Sequence, residues 1–363
     1  MNIAWFGSSI VSAYWNGAAT YYRGVCRALH ARGHRVTFYE PDAYERQQHR
    51  DIPDPEYARV VVYSGDDAGA ALRCVEAARN ADLVIKASGV GVFDALLEEA
   101  VLDLRTERTR VAFWDVDAPA TLDLLHAEAS DSLRALIPRF DLILTYGGGA
   151  PVVNAYCALG ARACVPIYNA LDPATHHPVS PDPRFAADLG FLGNRLPDRE
   201  ARVEEFFLCA AERLPQKRFL LGGSGWQDRS MPPNVNYVGH VGTAAHNAFH
   251  GSPRVALNIS RESMARYGFS PATRVFEAAG AGACLITDAW EGLELFLEPG
   301  EETLVAHNGA EVAEHLRALT PDCAHRIGQA ARRRILACHT YDKRVARLER
   351  LLEGRDLERG GNP

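Results

Sequence analysis

The chain has 363 residues, which is too long for one ordinary hydrophobic core and long enough for two domains of about 150 to 200 residues each. Its composition, 47% hydrophobic and 23% charged, is that of a globular protein. The formal net charge of -7 argues against binding of nucleic acid by the overall field, and no apolar run reaches the roughly 20 residues that a transmembrane helix needs.

The start, MNIAWFGSSI, lacks the basic flank and the long apolar core of a signal peptide. The eight cysteines are scattered without a C-x-x-C pair, and most of them lie in apolar contexts, where they are interpreted as small core residues. No H-x-x-x-H pair among the thirteen histidines is backed by a carboxylate in the sequence. We therefore expect a reduced, cytoplasmic chain with no metal, no cofactor, no nucleic acid and no transmembrane segment.

The first part of the chain alternates short apolar strands with amphipathic helices. A strand over Ile3 to Phe6 is followed by a helix over about 20–31, which ends at Gly33. Five more strands are predicted, mostly with helices between them: HRVTFYE, RVVVY, ADLVIKAS, RVAFWD and FDLILTY. Runs this apolar suit parallel strands that are covered on both faces, so residues 1–168 are predicted to form a doubly wound α/β domain.

A proline-rich linker, NALDPATHHPVSPDPRF, precedes a second α/β alternation. Its predicted elements are a helix at 199–212, two later helices (EVAEHLRAL and AHRIGQAARRRILACH) and the strands DLGFLGN, RFLLGG, VNYVGHV, RVALNIS and ACLITD. This indicates a second Rossmann-like domain over 175–340. An amphipathic helix at about 341–353 could pack back on the first domain. Ligands bind at the carboxyl ends of parallel strands, so we expect the two domains to face each other across a cleft.

The segment SPATRVFEAAGAG is the strongest candidate for ligand binding. Ser270 is predicted to be the N-cap of a helix that ends at about 281, with Pro271 in its first turn. The free N–H groups from Ser270 to Thr273 would then offer an anion site at the positive end of the helix dipole. Arg274 adds a full positive charge, which is mildly unfavourable there unless an anion binds.

Glu277 lies one turn further along the same helix and could accept hydrogen bonds from a diol such as that of a ribose. An anion site followed by a diol site describes the diphosphate-ribose part of a nucleotide. The competing interpretation is a solvent-exposed ion pair between Arg274 and Glu277, worth a few tenths of a kcal/mol. The surrounding glycines and alanines favour a helix packed close to other backbone.

Other candidates lie where predicted strands end. Arg195 and Arg199 follow LGFLGN, and Arg261 follows VALNIS, where guanidinium groups could converge on a diphosphate. In the first domain, Gly7, Asn16 and Gly17 lie on the loop after the first strand, where they could approach a ligand. Solvent-exposed arginines and a plain strand-to-helix turn are the competing interpretations.

The segment TRVFEAAGAGACLITDAWEGLELFLEPGEE resembles the donor-site segment of group 1 glycosyltransferases of the GT-B fold, and most closely the subset related to the spore-maturation protein CgeB. Asn169-Ala170-Leu171-Asp172, with Pro178, is similar to the crossover of the same enzymes. The amino-terminal segment SSIVSAYWNGAATYYRGVCRALHARGHRVTFYE and the segment AFWDVDAPATL also resemble this family. The likeness covers nearly the whole chain.

The resemblance implies transfer of a sugar from a nucleotide sugar, UDP- or GDP-linked, to an acceptor hydroxyl, with retention of configuration. It places the diphosphate at the helix start, the ribose at Glu277 and the acceptor in the first domain. In GT-B enzymes the helix dipole and basic residues stabilise the leaving diphosphate, so no metal is needed. Two positions depart from the family: Phe269 stands where many members have a second Glu, and Ala18 where a His is common.

The resemblance also gives Asp115-Val116-Asp117 a position, because acids after this strand lie where acceptor-side catalytic groups are found. Asp117 is the candidate that orients or deprotonates the acceptor hydroxyl, or stabilises positive charge at the sugar carbon. It could instead cap the following helix, and the D-x-D pattern could hold a metal. Two other functions stay open: a nucleotide-sugar epimerase of the same fold, and a non-catalytic nucleotide-sugar-binding protein.

Overall fold

The computed structural model describes residues 1–128 and 130–355, and the chain divides into two compact units. Of the described residues, the first unit comprises Met1–Tyr168 together with Tyr341–Arg355, and the second comprises Asn169–Thr340. Each unit contains its own parallel β-sheet with helices between the strands. The predicted fold class, two Rossmann-like α/β domains, is confirmed.

The sheet of the first unit has seven parallel strands in the order β3-β2-β1-β4-β5-β6-β7. These strands are β1 (Asn2–Phe6), β2 (Arg35–Asp42), β3 (Arg59–Ser64), β4 (Leu83–Ala87), β5 (Arg110–Asp115), β6 (Leu142–Thr145) and β7 (Cys164–Pro166). Every residue of β4 and β6 is buried, as their apolar runs predict. The short edge strand β7 was not predicted, because three residues carry too little pattern to distinguish a strand from a loop.

In the described part of the first unit there are seven α-helices: α1 (Ala19–Ala31), α2 (Ala68–Ala77), α3 (Asp94–Ala100), α4 (Ala118–Ala127), α5 (Ser132–Leu136), α6 (Gly149–Ala158) and the closing α14 (Tyr341–Leu352). Helix α14 packs on α1 so closely that a Cβ on Gly24 would lie 2.1 Å from the Tyr341 ring. Near the carboxyl end of α14, Glu349 forms ion pairs with Arg32 at 2.7 Å and with His34 at 2.8 Å. The closing helix is therefore part of the first unit.

The sheet of the second unit has six parallel strands in the order β10-β9-β8-β11-β12-β13. They are β8 (Leu189–Leu192), β9 (Phe219–Gly222), β10 (Val235–Tyr237), β11 (Val255–Asn258), β12 (Leu285–Asp288) and β13 (Leu304–Ala306). A core cluster that includes Phe191, Leu257 and Ile286 packs on this sheet. Strand β13 is a second short edge strand that the sequence did not reveal.

The helices of the second unit are α7 (Pro197–Val203), α8 (Cys209–Arg213), α9 (His246–Gly251), α10 (Glu262–Tyr267), α11 (Thr273–Gly280), α12 (Gly309–Ala318) and α13 (Pro321–Cys338). The continuous helix predicted at 199–212 is interrupted by a π-helical turn over Glu204–Leu208. Successive side chains of a regular α-helix point about 100° apart, so three in a row do not face the same side. The wider π-helical turn buries three successive side chains in the core, those of Phe206, Phe207 and Leu208.

No helix in the described ranges combines the length and the apolar character that crossing a bilayer requires.

Candidate functional site

The start of helix α11 differs from the prediction. The N-cap is Ala272, which makes no side-chain cap hydrogen bond, and the helix begins at Thr273. The hydroxyl of Ser270 instead donates to the carbonyl oxygen of Gly268, 2.9 Å away, inside the preceding loop. The prediction of Ser270 as the N-cap was wrong because another segment fixes the backbone of this loop. The Phe269 N–H donates to the carbonyl of Glu291, which lies after strand β12. The free N–H groups of the helix start therefore begin two residues later than expected.

Arg274 is buried in the first turn of α11, with 8% of its surface exposed. Its Nε donates to the Leu192 carbonyl at 2.6 Å, its Nη1 donates to Asn258 Oδ1 at 2.8 Å, and its guanidinium lies 4.8 Å from the centre of the Phe191 ring. The interpretation of Arg274 and Glu277 as a solvent-exposed ion pair is wrong, since both side chains are buried. Arg274 is fixed in one orientation at the carboxyl end of β8.

Arg199 converges on the same place. A Cβ on Gly193 would lie 3.0 Å from Arg199 Nη1 and 3.0 Å from Arg274 Nη2, so both guanidinium groups lie against one residue of backbone. Burial and, secondly, the charge of Arg199 lower the pKa of Arg274 to about 9. Two like charges held this close raise each other's energy, and an anion bound between them would relieve that cost. Two guanidinium groups placed in this way are suited to binding an anion.

A buried polar network holds the side chain of Arg274, and the sequence did not predict this network. Asn258, at the end of β11, donates to Asp288 Oδ1 at 3.3 Å while it accepts from Arg274. Asp288 Oδ2 accepts from Arg202 at 2.7 Å and from the Ser260 N–H at 3.0 Å. Polar residues at the ends of strands β11 and β12 were the available signal. Because each member of the network is hydrogen-bonded, the network holds Arg274 in one orientation.

Glu277 lies one turn after Arg274 and is buried, with 6% of its surface exposed. Three histidines that the sequence did not single out surround it. His176 Nε2 is 4.0 Å from Glu277 Oε1, and His250 Nε2 is 4.0 Å from Glu277 Oε2. His246 belongs to the same group. His246 and His250 are an H-x-x-x-H pair whose carboxylate comes from a distant part of the chain, so the expectation that no such pair is backed by a carboxylate was wrong.

The other arginines predicted to contact a phosphate have acidic partners. Arg261 Nε donates to Asp198 Oδ2 at 2.6 Å. Arg195 forms ion pairs with Glu200 at 2.6 Å and with Asp228 at 2.8 Å. Arg195 and Arg261 therefore lie in ion pairs, and Arg199 and Arg274 are the two predicted arginines that meet at Gly193.

In the first unit, the two aspartates of the D-x-D pattern have different environments. Asp115 is fully buried. Its carboxylate accepts hydrogen bonds from the hydroxyls of Ser88, Thr121 and Tyr156 and from the backbone N–H of Asp117. A carboxylate with four donors is committed to the fold, which argues against its use as a metal ligand. Asp117 is the N-cap residue of α4, at the carboxyl end of β5, yet its side chain makes no capping hydrogen bond. The alternative of a side-chain cap is therefore wrong.

The loop after β1 is internally hydrogen-bonded. Asn16 Nδ2 donates to the carbonyls of Ser9 and Ser12 at 2.8 and 2.9 Å, and its Oδ1 accepts from Ser8. A Cβ on Gly7 would lie 2.4 Å from the Phe38 ring, whereas one on Gly17 would meet no heavy atom within 4 Å. Asn16 and Gly7 thus have structural roles that shape this loop, and Gly17 has open space beside it.

Residues 199–350, which include helix α11 and the sites around it, match a family model described as glycosyl transferase-like. No curated protein sequence matches the chain.

Solved structures resemble the chain over nearly its whole length. Sucrose-phosphate synthase from Thermosynechococcus elongatus has a TM-score of 0.70 and 14% identity, with 98% of each chain covered. HepE from Anabaena, in complex with UDP and glucose, has a TM-score of 0.69 and 15% identity over 98% of this chain and 100% of its own. An alpha-glucosyltransferase in complex with UDP-glucose and DNA scores 0.71 at 12% identity, covering 97% and 99%. These likenesses establish the GT-B fold.

Arg274→Lys keeps the positive charge but removes the planar group that donates to Leu192 and Asn258 and that is expected to donate to a bound anion. We expect affinity for a nucleoside diphosphate to fall about ten- to hundredfold, the loss of one or two charge-assisted hydrogen bonds. Isothermal titration calorimetry measures the dissociation constant of the nucleoside diphosphate. Arg184→Lys, at an exposed ion pair with Asp182, is the matched control and should leave the affinity unchanged. Equal affinity in Arg274→Lys and the wild type would contradict the assignment.

Proposed function

We propose that the protein is a glycosyltransferase that moves a sugar from a nucleoside-diphosphate sugar to an acceptor hydroxyl. The observation that carries the proposal is the pair of guanidinium groups, Arg199 and Arg274, converging at Gly193. Glu277 follows one turn further along α11, where its carboxylate could accept hydrogen bonds from the ribose next to a bound diphosphate. The match of residues 199–350 to a glycosyl transferase-like family supports this assignment.

Within this proposal, the second unit binds the donor. The diphosphate lies between the start of α11, with Thr273 in its first turn, and the two arginines, and the Glu277 carboxylate accepts hydrogen bonds from the ribose hydroxyls. The arginines and the helix dipole stabilise charge on the leaving diphosphate, so transfer proceeds without a metal ion. A UDP- or GDP-linked sugar is the proposed donor, and the UDP-containing structure of HepE, a protein with the same fold, supports the first.

The first unit would bind the acceptor, with Asp117 next to the reacting hydroxyl. The finer family assignment, to the CgeB-like subset, is supported by Phe269. This residue occupies the place of an acid in many group 1 enzymes, and here it is a packing residue: a Cβ on Gly292 would lie 2.2 Å from its ring. Retention of configuration at the sugar carbon is proposed by analogy with that group.

The experiment that tests the donor site is a thermal-shift panel in buffer containing EDTA, with UDP, GDP, ADP, dTDP and NAD. A nucleoside diphosphate present at about 100 times its dissociation constant should add roughly 2.7 kcal/mol to the free energy of unfolding. We expect Glu277→Ala to abolish most of this stabilisation, because the ribose loses its acceptor. Glu314→Ala, an exposed change on α12, is the control and should keep it.

Two results would contradict the proposal. Stabilisation by NAD alone would identify a dinucleotide-binding protein. A shift of equal size in Glu277→Ala and in the wild type would remove the ribose from this carboxylate. Once a base is chosen, incubation of the matching nucleotide sugar without acceptor, followed by product analysis, separates transfer from epimerisation.

A further inference from the structure

A cluster of three histidines and one carboxylate lies in the second unit, formed by His176, His246, His250 and Glu277. The ligand atoms of His176, His246 and Glu277 lie within 4.8 Å of one another. We propose that these three residues form a binding site for a transition-metal ion of the zinc class. The proposal adds a ligand to the donor unit that the transfer reaction itself does not require.

The imidazole nitrogens next to Glu277 indicate a missing ligand. His176 and His250 are both about 2% exposed or less, and the Nε2 atom of each is buried without a hydrogen-bond partner. Each Nε2 lies 4.0 Å from a Glu277 oxygen, which is too far for a hydrogen bond. Buried polar atoms of this kind normally have a partner.

The separations are close to those around one bound ion. Zinc binds imidazole nitrogen and carboxylate oxygen at about 2.0 to 2.2 Å, so the ligand atoms of a tetrahedral site lie about 3.4 Å apart. His176 Nε2 and Glu277 Oε1 are 4.0 Å apart and the three ligand atoms lie within 4.8 Å of one another, so the side chains would close by about 1 Å around a bound ion. Imidazole ligands select zinc, copper, nickel or cobalt over magnesium and calcium, which prefer oxygen. Three protein ligands also leave a coordination position for water.

The backbone around the cluster holds its three elements together. Asn247, on α9, donates from Nδ2 to the Thr175 carbonyl at 2.9 Å, and its Oδ1 accepts from the His177 N–H at 3.2 Å. A Cβ on Gly280 of α11 would lie 3.1 Å from the His176 carbonyl oxygen, so α11 packs directly on the same turn. The segments that carry His176, the α9 histidines and Glu277 are therefore fixed relative to one another, which a preorganised metal site needs.

Access to the cluster comes from the side of His246, which is only half-buried, whereas the other members are buried. His250 faces the second Glu277 oxygen and would orient the carboxylate from outside the coordination sphere. In the part of this inference that rests on the proposed function, an ion bound to Glu277 would occupy the carboxylate that the ribose needs. Metal and nucleotide would then compete.

Metal binding is tested directly on untagged, full-length protein after treatment with EDTA and its removal. Titration with Co²⁺ should give the visible absorption of a four-coordinate site, and Zn²⁺ should abolish it by displacement. We expect His176→Ala and His246→Ala to lower the affinity for Zn²⁺ by at least about tenfold. His307→Ala, at an exposed histidine that pairs with Glu311 at 2.9 Å, is the matched control and should bind as the wild type does.

The proposal is overturned if the wild type gives no such absorption, or if His307→Ala loses as much affinity as His176→Ala. Circular dichroism checks the folding of each variant. If the buried His176→Ala does not fold, His246→Gln at the half-buried position carries the test, with the same tenfold loss expected.

A second titration separates this inference from the proposed function. Zn²⁺ should weaken UDP binding to the wild type and leave UDP binding to His246→Gln unchanged, because that variant keeps Glu277. Zn²⁺ binding with no nucleoside diphosphate bound would retain the metal site and overturn the donor site. Nucleotide binding without Zn²⁺ binding would retain the donor site and overturn the metal site. If both ligands bind and neither changes the affinity for the other, the proposed competition at Glu277 is wrong.

Discussion

Asp117→Asn is expected to lower the turnover number of sugar transfer by about 10²- to 10⁴-fold while leaving the protein folded. The amide keeps the size of the side chain but cannot accept a proton, and it carries no charge to stabilise a developing positive charge at the sugar carbon. Loss of a positioned acid–base group costs a factor of that order. The measurement is release of the nucleoside diphosphate from the nucleotide sugar whose diphosphate stabilises the protein most.

The surroundings of Asp117 make this prediction specific. Its backbone N–H donates to Asp115 Oδ1 at 2.9 Å, and its carbonyl accepts from the Thr121 N–H at 3.0 Å, so the backbone is fixed at the start of α4. The side chain does not serve the helix as a cap, and its exchange for an amide should change the free energy of unfolding little. This variant should therefore lose turnover while its free energy of unfolding stays nearly that of the wild type.

Two controls accompany Asp117→Asn. Asp67→Asn changes an exposed N-cap residue in the same unit that pairs with Arg73, and it should leave turnover unchanged. Asp115→Asn should lower the melting temperature instead, because an amide cannot accept from all the donors that surround this buried carboxylate. Full turnover in Asp117→Asn would remove this residue from the mechanism.

Gly328→Ala is expected to destabilise the second unit by about 2 kcal/mol or more. Alanine normally stabilises a helix interior relative to glycine by roughly 1 kcal/mol. In α13, however, a Cβ on Gly328 would lie 2.3 Å from the Gly282 carbonyl oxygen and 2.8 Å from the Ala283 carbonyl carbon. These are backbone atoms between α11 and β12, which cannot yield as a flexible side chain can, so the change overpacks a rigid contact.

Gly251→Ala is the matched control for this second variant. Gly251 is also helical, in α9, and the nearest heavy atom to its added Cβ would be the Ala281 carbonyl oxygen at 3.8 Å, an ordinary contact. The two substitutions should therefore have opposite signs in chemical denaturation, with a fall of about 4 to 8 °C in the melting temperature for Gly328→Ala. Equal stability of the two variants would contradict the close packing of α13 on this connection.

Part of the candidate site was predictable because it depends on local pattern. Arg274 and Glu277 lie three residues apart among small residues, which indicated a buried helix facing a ligand. Arg199 follows a buried strand. The N-cap assignment of Ser270 failed because the loop before α11 is held by Glu291, a contact that no local rule contains. The surroundings of Glu277 were missed for the same reason, since His176 and His246 come from segments about 100 and 30 residues away in the chain.

The two parallel sheets were predictable from local pattern, because continuous apolar strands alternating with amphipathic helices have few other ways to bury their surfaces. The same pattern indicated which strand ends carry polar residues. What those residues do depends on how distant segments pack together. Arg261 is matched by Asp198, Arg274 is anchored by Asn258, and Glu277 is enclosed by histidines. Hydrogen bonds and charge pairs act over a few ångströms, and residues distant in the chain come within that range only once the sheets and helices have packed.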